Sequence, residues 1–224
     1  GKADKSLGIK LIETFLGIVA LKLKKGELKY WIMENVPNSR KYVKDSYTWN
    51  DLGLPGGSEI AIEIPQKELM NAADYGAPQK RKRFICGNYP VPKKTHDEKD
   101  WVSVKKVLDS LSNPLEKNRP KMVKDPIYGF NISANNLTDH FYDSRVEEFE
   151  WSVAKRLKED HGFMGKMSFP EDETKPSRTV MATISASTRE SIILKAKKNG
   201  KKCGYRVPTI REIASFMSFP ITYQ

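Results

Sequence analysis

Cysteine and histidine are scarce in this sequence of 224 residues. There are two cysteines, Cys86 and Cys203, and three histidines, His96, His140 and His161. None of them forms a CxxC pair or another spacing that is typical of a zinc site, so the sequence predicts no bound metal. So few cysteines are typical of a protein that works in a reducing compartment such as the cytoplasm.

Long apolar runs and phosphate-binding loops are also missing. No apolar run approaches the length of a membrane span, and the first residues lack a secretory pattern, so we predict no membrane partner. The loop at 50–58 is rich in glycine but contains neither GxGxxG nor GxxxxGK[ST]. This absence argues against an oxidoreductase on a dinucleotide-binding fold. A helical pattern begins almost at the first residue, which suggests that the chain was cut from a longer one.

Positive charge is abundant. Lysine and arginine number 39 against 28 aspartates and glutamates, which gives a net charge of +11. Such a surplus favours a polyanionic partner, because the neutralisation of phosphates supplies most of the non-specific affinity for nucleic acids. The alternative is a soluble protein that is merely rich in lysine.

The first half of the chain alternates helical and strand patterns. Apolar residues at helical spacing predict a helix over 11–23 with one broad buried face. A buried strand over 28–36 follows, and this order suggests an α/β unit with a parallel sheet. Further strands are predicted at 58–66 and 84–87, with a short helix or turn at 67–76. An amphipathic helix is predicted over 101–111.

The second half has less pattern, and we place a domain boundary near residue 112. Proline, asparagine and lysine are frequent from 113 onward, and a helix is predicted over 144–160. Two strands are predicted at 177–185 and 190–196, followed by a turn at Asn199-Gly200. A last helix begins after Thr209, which is a suitable N-cap.

Glu34 is the first candidate for chemistry. It stands in YWIMENVPN, where an apolar strand ends in a carboxylate followed by Asn35 and the stiff Val36-Pro37. Ligands of open α/β sheets bind outside the carboxyl ends of the strands, so Glu34 could donate a proton or a hydrogen bond there. The alternative is a strand that simply ends in a polar turn.

Two arginines follow in PQKRKRF. On a strand, Arg81 and Arg83 would project from one face with Gln79 in phase, while Lys80 and Lys82 would face the other way. Two guanidinium groups on one face can hold a phosphate or a base carbonyl. The alternatives are a solvated basic edge and a KRKR-type targeting patch.

Two later segments carry further candidates. Residues 176–191 alternate polar and β-branched side chains and include Arg178 and Arg189, which suits a surface that reads a DNA groove, although an ordinary exposed hairpin explains the pattern equally well. In TIREIASFMSFP, Arg211 and Glu212 lie in the first turn of a helix whose apolar face docks on the protein.

Together these segments resemble the C5-cytosine DNA methyltransferase family. ENV at 34–36 is similar to its Glu-Asn-Val motif, and YGAPQKRKRF at 75–84 is similar to its Tyr-Gly-x-Pro-Gln-x-Arg-x-Arg motif. TIREIASFMSFP at 209–220 resembles its Arg-Glu-x-Ala-Arg-x-x-x-Phe-Pro helix. Between the last two motifs the family has a target-recognition domain with a Thr-Leu/Ile/Val dipeptide, and Thr179-Val180 stands at that place.

The resemblance implies a fold and a division of the chain. The fold would be α/β: part of a Rossmann-like S-adenosylmethionine-dependent methyltransferase sheet plus a smaller, mainly β target-recognition domain. Residues 1–112 would form the second half of the catalytic domain, 113–205 the target-recognition domain, and 206–224 a helix that returns to the catalytic domain. The enzyme would transfer a methyl group from S-adenosylmethionine to C5 of a cytosine that is flipped out of double-stranded DNA.

The resemblance also implies roles for single residues. Glu34 would hold N3 and N4 of the flipped cytosine, and Arg83 would bind its carbonyl oxygen. Arg81 would support the site or the DNA backbone. The implied substrate- and DNA-binding residues are Asn35, Gln79, Arg178, Thr179, Val180 and Arg189. Arg211 and Glu212 would tie the last helix to the fold.

The chain departs from the family pattern in several places. The Phe-x-Gly-x-Gly cofactor loop, the Pro-Cys-Gln nucleophile and the final Gly-Asn motif have no counterpart, and Ser215 stands where the family has a second arginine. The chain would then be the second half of a methyltransferase, with cofactor binding residing mainly in a missing N-terminal portion. That portion could be a separate subunit or part of the same polypeptide, and the chain could also be a permuted or degenerate relative.

The alternative function is a non-catalytic DNA-binding remnant or a specificity subunit of such an enzyme. In either case the resemblance implies a cytoplasmic, nucleoid-associated protein of a bacterium, which belongs to a restriction-modification system. The chain alone is expected to be inactive, since the nucleophile and the cofactor loop are not in it.

Overall fold

A computed structural model of the protein describes residues 5–160, 165–182 and 185–223. Helices and strands follow one another along the chain, as in an α/β protein, and the strands form several small sheets. The helices are α1 (Ser6–Lys24), α2 (Val104–Leu111), α3 (Glu148–Glu159) and α4 (Ile210–Phe216). The strands are β1 (Trp31–Asn35), β2 (Ser46–Thr48), β3 (Ile60–Glu63), β4 (Gln66–Asn71), β5 (Lys82–Asn88), β6 (Met122–Lys124), β7 (Asn131–Ser133), β8 (Leu194–Lys198) and β9 (Lys201–Arg206).

The chain forms two compact units. Residues 1–71 and 82–93 form the first unit, and residues 72–81 and 94–224 form the second. None of the helices in the described part of the chain is both long and apolar enough to cross a bilayer. The division into a catalytic and a target-recognition domain stays a prediction.

Helix α1 opens the first unit and confirms the predicted helix. Lys22 and Lys24 lie in its last turn, where cations interact favourably with the helix dipole, and Gly26 adopts a φ of +72° just beyond it. One side of the helix packs into the core of the unit. The buried residues of α1 are Ile12, Leu16, Gly17, Val19 and Ala20. The opposite side of α1 also carries apolar side chains, but these are exposed. The sequence predicted one broad buried face, and only part of the apolar surface of the helix is buried.

The main sheet of the first unit has the strand order β1-β5-β4, and both of its ladders are antiparallel. The parallel pairing that the sequence predicted is therefore absent from the strands of the described residues. A parallel pair needs two strands joined by a crossover, and no strand of the described residues precedes α1. β1 lies at an edge of this sheet, with β5 on its one paired side.

The segment at 67–76, predicted as a short helix or turn, is mostly strand β4. Residues such as Lys67, Glu68 and Leu69 favour helix in isolation, but their backbone pairs with β5 along its length. The hydrogen bonds of this ladder outweigh the helix propensity. Only residues 72–75 form a short helical turn. The predicted strands at 58–66 and 84–87 are confirmed as β3 and β5.

The second unit packs helices α2 and α4 with short hairpins. The predicted helix at 101–111 is confirmed as α2, which begins after Ser103, and the hydroxyl of this residue accepts a hydrogen bond from the Lys106 amide. Thr209 caps α4 as predicted and forms a reciprocal capping box with Glu212. Both helices contribute to one core. Its buried members include Val104, Val107, Leu111, Val123, Leu137, Leu194, Phe216 and Ile221.

The strands predicted at 177–185 and 190–196 are only partly correct. No strand is formed at 177–182 or at 185, and residues 183–184 lie outside the described residues. Ser177 instead forms an isolated parallel bridge with Gln79, and this bridge occupies the backbone groups there. The second strand starts later, at Leu194, and continues through the predicted Asn199-Gly200 turn into β9, a strand that the sequence analysis missed.

Candidate active site

Glu34 lies near the carboxyl end of the edge strand β1. Its partner across the ladder is Ile85 of β5, and the neighbouring pair is Asn35 with Phe84. Because side chains alternate along a strand, Met33 and Phe84 point into the core of the first unit while Glu34 points to the opposite, solvent-facing side. The predicted strand end therefore presents its carboxylate outside the core.

Arg83 lies beside Glu34 on that same side of the sheet. It precedes Ile85 by two residues, which makes it a diagonal neighbour of Glu34 across the ladder. Nε of Arg83 is 2.6 Å from Oε1 of Glu34, and Nη1 of Arg83 donates to the carbonyl of Lys82 at 2.8 Å. The Glu34 side chain is 53% exposed and the Arg83 side chain 23%. The pair is thus half open to solvent and accessible to a ligand.

The turn after Glu34 is fixed by its own side chains. Oδ1 of Asn35 accepts a hydrogen bond from the Val36 amide at 2.8 Å, and the Ser39 hydroxyl donates to the Val36 carbonyl at 2.7 Å. Pro37 then begins a short helical turn, for which its fixed φ is suited. These contacts hold the chain in one conformation immediately after the carboxylate.

A basic cleft of about 540 Å³ lies at this turn. It is lined by Pro37, Asn38, Arg40, Lys41, Asp45 and Lys67. Nζ of Lys67 is 2.8 Å from Oδ1 of Asp45, and this hydrogen bond is the main cause that lowers the pKa of Asp45. The single carboxylate of the cleft is therefore already paired, and the remaining side chains favour an anion. Arg40 and Lys41 were not predicted as site residues, although their segment, PNSRKY, directly follows the Glu-Asn-Val motif.

Arg81 and Gln79 belong to the second unit. The strand predicted over both arginines begins at Lys82, one residue after Arg81, and a shared face of Arg81 and Arg83 stays a prediction. The Lys80 amide donates to the Ser177 carbonyl at 2.8 Å, and the Arg81 carbonyl accepts a hydrogen bond from the Ala72 amide at 3.0 Å. The Gln79 side chain is buried, and its Nε2 donates to the carbonyl of Phe216 at 3.4 Å. Oε1 of Gln79 has no partner among the described residues.

The other predicted DNA-binding residues are largely engaged inside the second unit. Nε of Arg178 is 2.6 Å from Oε2 of Glu171, and the two side chains are 14% and 6% exposed. The Thr179 hydroxyl donates to the Lys80 carbonyl at 3.0 Å, and Val180 packs on the core. Nη2 of Arg189 donates to the Gly165 carbonyl at 2.9 Å. Groove reading by these residues stays a prediction.

Arg211 and Glu212 hold α4 through buried ion pairs. Nη2 of Arg211 is 3.0 Å from Oδ2 of Asp139, and its Nη1 donates to the Ile221 carbonyl at 3.1 Å. Glu212 binds Arg206, a partner that the sequence analysis missed. Predicting the role of Arg206 would have required a prediction of strand β9. This strand ends at Arg206, shortly before the capping-box residue Glu212, and so brings the two charges together.

The two cysteines have different surroundings. Cys86 is buried in the sheet opposite Met33, and this burial raises the pKa of its thiol to about 11. A thiol with such a pKa carries almost no thiolate at neutral pH. Cys203 is partly exposed on β9. No group of three potential metal ligands is found in the described part of the chain.

The Glu-Asn strand end, the arginine beside it and the capped last helix are features of one class of protein. The family model of the C-5 cytosine-specific DNA methylases matches residues 13–224. Since this match covers nearly the whole sequence, the chain belongs to the C-5 cytosine-specific DNA methylase family.

One curated relative extends this finding. The chain is 24% identical over 211 residues to the type II methyltransferase M.NgoPII of Neisseria gonorrhoeae. The match covers 90% of this chain but only 58% of the length of that relative. No solved structure matches the chain.

Proposed function

We propose that the chain supplies the cytosine-binding and DNA-binding portion of a DNA cytosine-5 methyltransferase. The observation that carries this proposal is the ion pair of Glu34 with Arg83, at 2.6 Å and half open to solvent at the end of β1. The family membership gives this pair a substrate, a cytosine that is flipped out of double-stranded DNA, because C6 cannot be reached inside the base stack.

The chemistry of the cytosine edge suits the pair. N3 and O2 of cytosine accept hydrogen bonds, and the N4 amino group donates them. One oxygen of the Glu34 carboxyl can accept a hydrogen bond from N4 while the other shares a proton with N3, and the Arg83 guanidinium can donate to O2. When a cysteine thiolate adds to C6, the proton at N3 neutralises the charge that develops in the ring, which is electrostatic and general-acid work.

The fixed turn after Glu34 supports this role. Asn35 and Ser39 hold the backbone through hydrogen bonds to the two sides of Val36. Only a carboxyl that is held within a fraction of an ångström can bind two atoms of the base edge together. We assign Asn35 to this positioning and not to the chemistry.

S-adenosylmethionine is the methyl donor that the family implies, and the cleft next to β1 does not fit it. The donor carries a sulfonium and an ammonium cation. The cleft contains Arg40, Lys41 and Lys67, and its one carboxylate is already bonded to Lys67. We therefore assign the binding of the cofactor, like the nucleophile, to a portion of the enzyme outside this chain.

The surface of the first unit supports the proposal that a further portion of the enzyme packs against this unit. α1 exposes a set of large apolar side chains on the side that faces away from the core. These are Leu7, Leu11, Phe15, Ile18 and Leu21, with exposed fractions from 36% to 67%. A helix with large apolar side chains on two opposite sides normally has both of those sides covered. β1 also has an open edge in the described part of the chain, and its Ile32 is 54% exposed.

The partner and the location follow from the same proposal. The net charge of +11 favours double-stranded DNA as the partner. We assign the enzyme to the cytoplasm, associated with the nucleoid of a bacterium, and to a restriction-modification system. The complementary portion could be a separate subunit or a preceding part of the same polypeptide.

The test is reconstitution. The 224-residue chain is mixed with the complementary portion of a type II methyltransferase that carries the cofactor loop and the nucleophilic cysteine. Transfer of radiolabelled methyl groups to unmethylated genomic DNA is then measured. We expect transfer with the pair and none with either portion alone. Glu34→Gln should lower the rate by about 10²-fold or more, as expected for the loss of one proton donor.

The controls separate the candidate functions. Glu63→Gln removes an exposed strand carboxylate outside the site and should leave the rate unchanged. An active pair whose rate is unaffected by Glu34→Gln would falsify the assignment of Glu34. Duplex binding without transfer in any pairing would instead favour the second function, a non-catalytic DNA-binding remnant or specificity subunit.

A further inference from the structure

The hairpin of β8 and β9 concentrates positive charge and has no acidic residue in its own sequence. Residues 194–206 contain six cations and no aspartate or glutamate. Five of the cations are exposed lysines: Lys195, Lys197, Lys198, Lys201 and Lys202. We call this segment the lysine hairpin. Among the described residues, none of these five ammonium groups lies within ion-pair distance of a carboxylate.

The register of the lysine hairpin places like charges directly opposite each other. Lys197 pairs with Lys202 and Lys198 pairs with Lys201, next to the tight turn at Asn199-Gly200. Directly opposed residues of two strands have their Cβ atoms about 5 Å apart, and like charges at this distance destabilise the pair. Two such pairs in succession weaken the hairpin in the isolated chain, and a bound polyanion would remove that repulsion.

The two lysine pairs lie on opposite faces of the hairpin, because side chains alternate along each strand. The surroundings agree: Lys197 borders one cleft and Lys198 borders another. The cleft beside Lys198 measures about 410 Å³ and contains Lys117, Arg119 and Arg145 together with two acids, Glu116 and Asp143, of which Asp143 pairs with Arg145. The guanidinium of Arg119 lies 4.9 Å from the ring centre of Phe141, which fixes its position. With Arg145 neutralised by Asp143, Lys117 and Arg119 outnumber the remaining acid, Glu116, so the side of Lys198 keeps a net positive charge.

We propose that the lysine hairpin enters a groove of duplex DNA and binds the phosphate backbones on both sides of it. A two-stranded ribbon fits the major groove, which is about 12 Å wide. Lysines on both faces of such a ribbon meet the phosphates of the two strands that border the groove. These contacts carry no base sequence and add affinity that depends on salt. The inference rests on the proposed function, since duplex DNA is the substrate of that function.

Another explanation of the lysines predicts a different result. β8 and β9 form a two-stranded sheet, and lysines on open strand edges discourage pairing with other chains. Lysines that serve only this purpose can be replaced without any change in DNA affinity.

The experiment measures the salt dependence of duplex binding by the full chain. A fluorescent duplex of mixed sequence is titrated with the wild type and with the quadruple variant K197Q/K198Q/K201Q/K202Q over a series of salt concentrations. Each phosphate contact contributes roughly one unit to the slope of log K against log salt. We expect the slope of the variant to be smaller by about two to four and its affinity to be at least about tenfold weaker at physiological salt.

A second quadruple variant controls for net charge. K10Q/K93Q/K121Q/K155Q removes the same charge from exposed lysines elsewhere in the chain. A loss of slope equal to that of the hairpin variant would show that only the total charge matters, which overturns the proposal. Binding of the hairpin variant equal to wild type overturns it as well, while the proposed function stands. If the wild type does not bind duplex DNA, both proposals fail together.

Two further measurements keep the result unambiguous. The hairpin variant should melt at the same temperature as wild type or higher, because two repulsive lysine pairs are removed. A lower melting temperature would contradict the argument from register. Vesicles that contain phosphatidylglycerol provide a second polyanion, and a hairpin that is needed for vesicles but not for DNA would overturn the choice of partner.

Discussion

The two carboxylate oxygens of Glu212 lie 2.8 and 2.7 Å from the two terminal guanidinium nitrogens of Arg206, and both side chains are buried. The same carboxylate accepts a hydrogen bond from the Thr209 amide at 2.8 Å. One side chain thus joins strand β9 to the cap of α4.

Removal of the arginine from this pair should destabilise the chain strongly. Arg206→Met leaves the Glu212 carboxylate buried without its partner, which typically costs about 3–5 kcal/mol of the free energy of unfolding. Urea denaturation measures the loss. Arg145→Met is the matched control, because Arg145 pairs with Asp143 at the surface and such exposed pairs contribute about 1 kcal/mol or less. Equal losses in the two variants would contradict the structural role of Arg206.

Stability should depend on pH through His140. This histidine is fully buried, with Nδ1 2.9 Å from the Thr209 hydroxyl and Nε2 3.0 Å from the Ser112 carbonyl. Burial is the main cause that lowers its pKa below the ordinary 6.5. Below pH 6.5 the unfolded chain therefore binds a proton that the folded chain does not, and stability decreases as the pH falls through this range.

The measurement is the free energy of unfolding at several pH values for wild type and His140→Gln. One proton contributes a slope of up to about 1.4 kcal/mol per pH unit. We expect the difference in stability between the two proteins to shrink as the pH falls from 6.5, and to be constant above it. A difference that does not change with pH would rule out the buried neutral imidazole.

Gly87 should tolerate no side chain. It adopts a φ of +148°, and a Cβ atom at this position would lie 2.2 Å from the carbonyl oxygen of Trp31 in the neighbouring strand. Gly87→Ala must push β1 away from β5, and with it Glu34 from Arg83. We expect a loss of more than about 2 kcal/mol, as for severe overpacking. Gly57→Ala is the control, since Gly57 also has a positive φ but nothing lies within 4 Å of its added Cβ.

The two thiols should react at very different rates. Cys86 is buried, with its pKa raised to about 11, whereas Cys203 is partly exposed. Ellman's reagent should label one thiol of the native chain, and the second only after denaturation. Cys203→Ser should abolish the fast reaction. Fast labelling that persists in this variant would show that Cys86 is accessible and would reopen the question of the nucleophile.

The sequence was informative where local signals and tertiary packing agree. The apolar period of α1, the cap at Thr209 and the turn at Asn199-Gly200 depend on neighbours along the chain, and all three were predicted correctly. β4 was missed because its pairing with the next strand, β5, decides its conformation against the local helix preference. The surroundings of the segment before β5 were not predictable locally either, because the Lys80 amide bonds to the carbonyl of Ser177, which lies far along the sequence.

The candidate site was predictable only in part. The motif resemblance suggested both Glu34 and Arg83, but their contact depends on the antiparallel register of β1 and β5, which the sequence analysis had expected to be parallel. The buried positions of Arg178 and Arg206 were not visible either, because nothing local reveals which carboxylate will neutralise a guanidinium from a distant segment.

The exposed apolar side of α1 has a consequence for the chain when it is produced alone. Leu7, Leu11 and Ile18 would bring copies together, so we expect turbidity that rises with protein concentration. A complementary methyltransferase portion that covers the same side would compete with this self-association by mass action. The solubility of this chain would then depend on how much of the complementary portion is made beside it, which couples the production of the two.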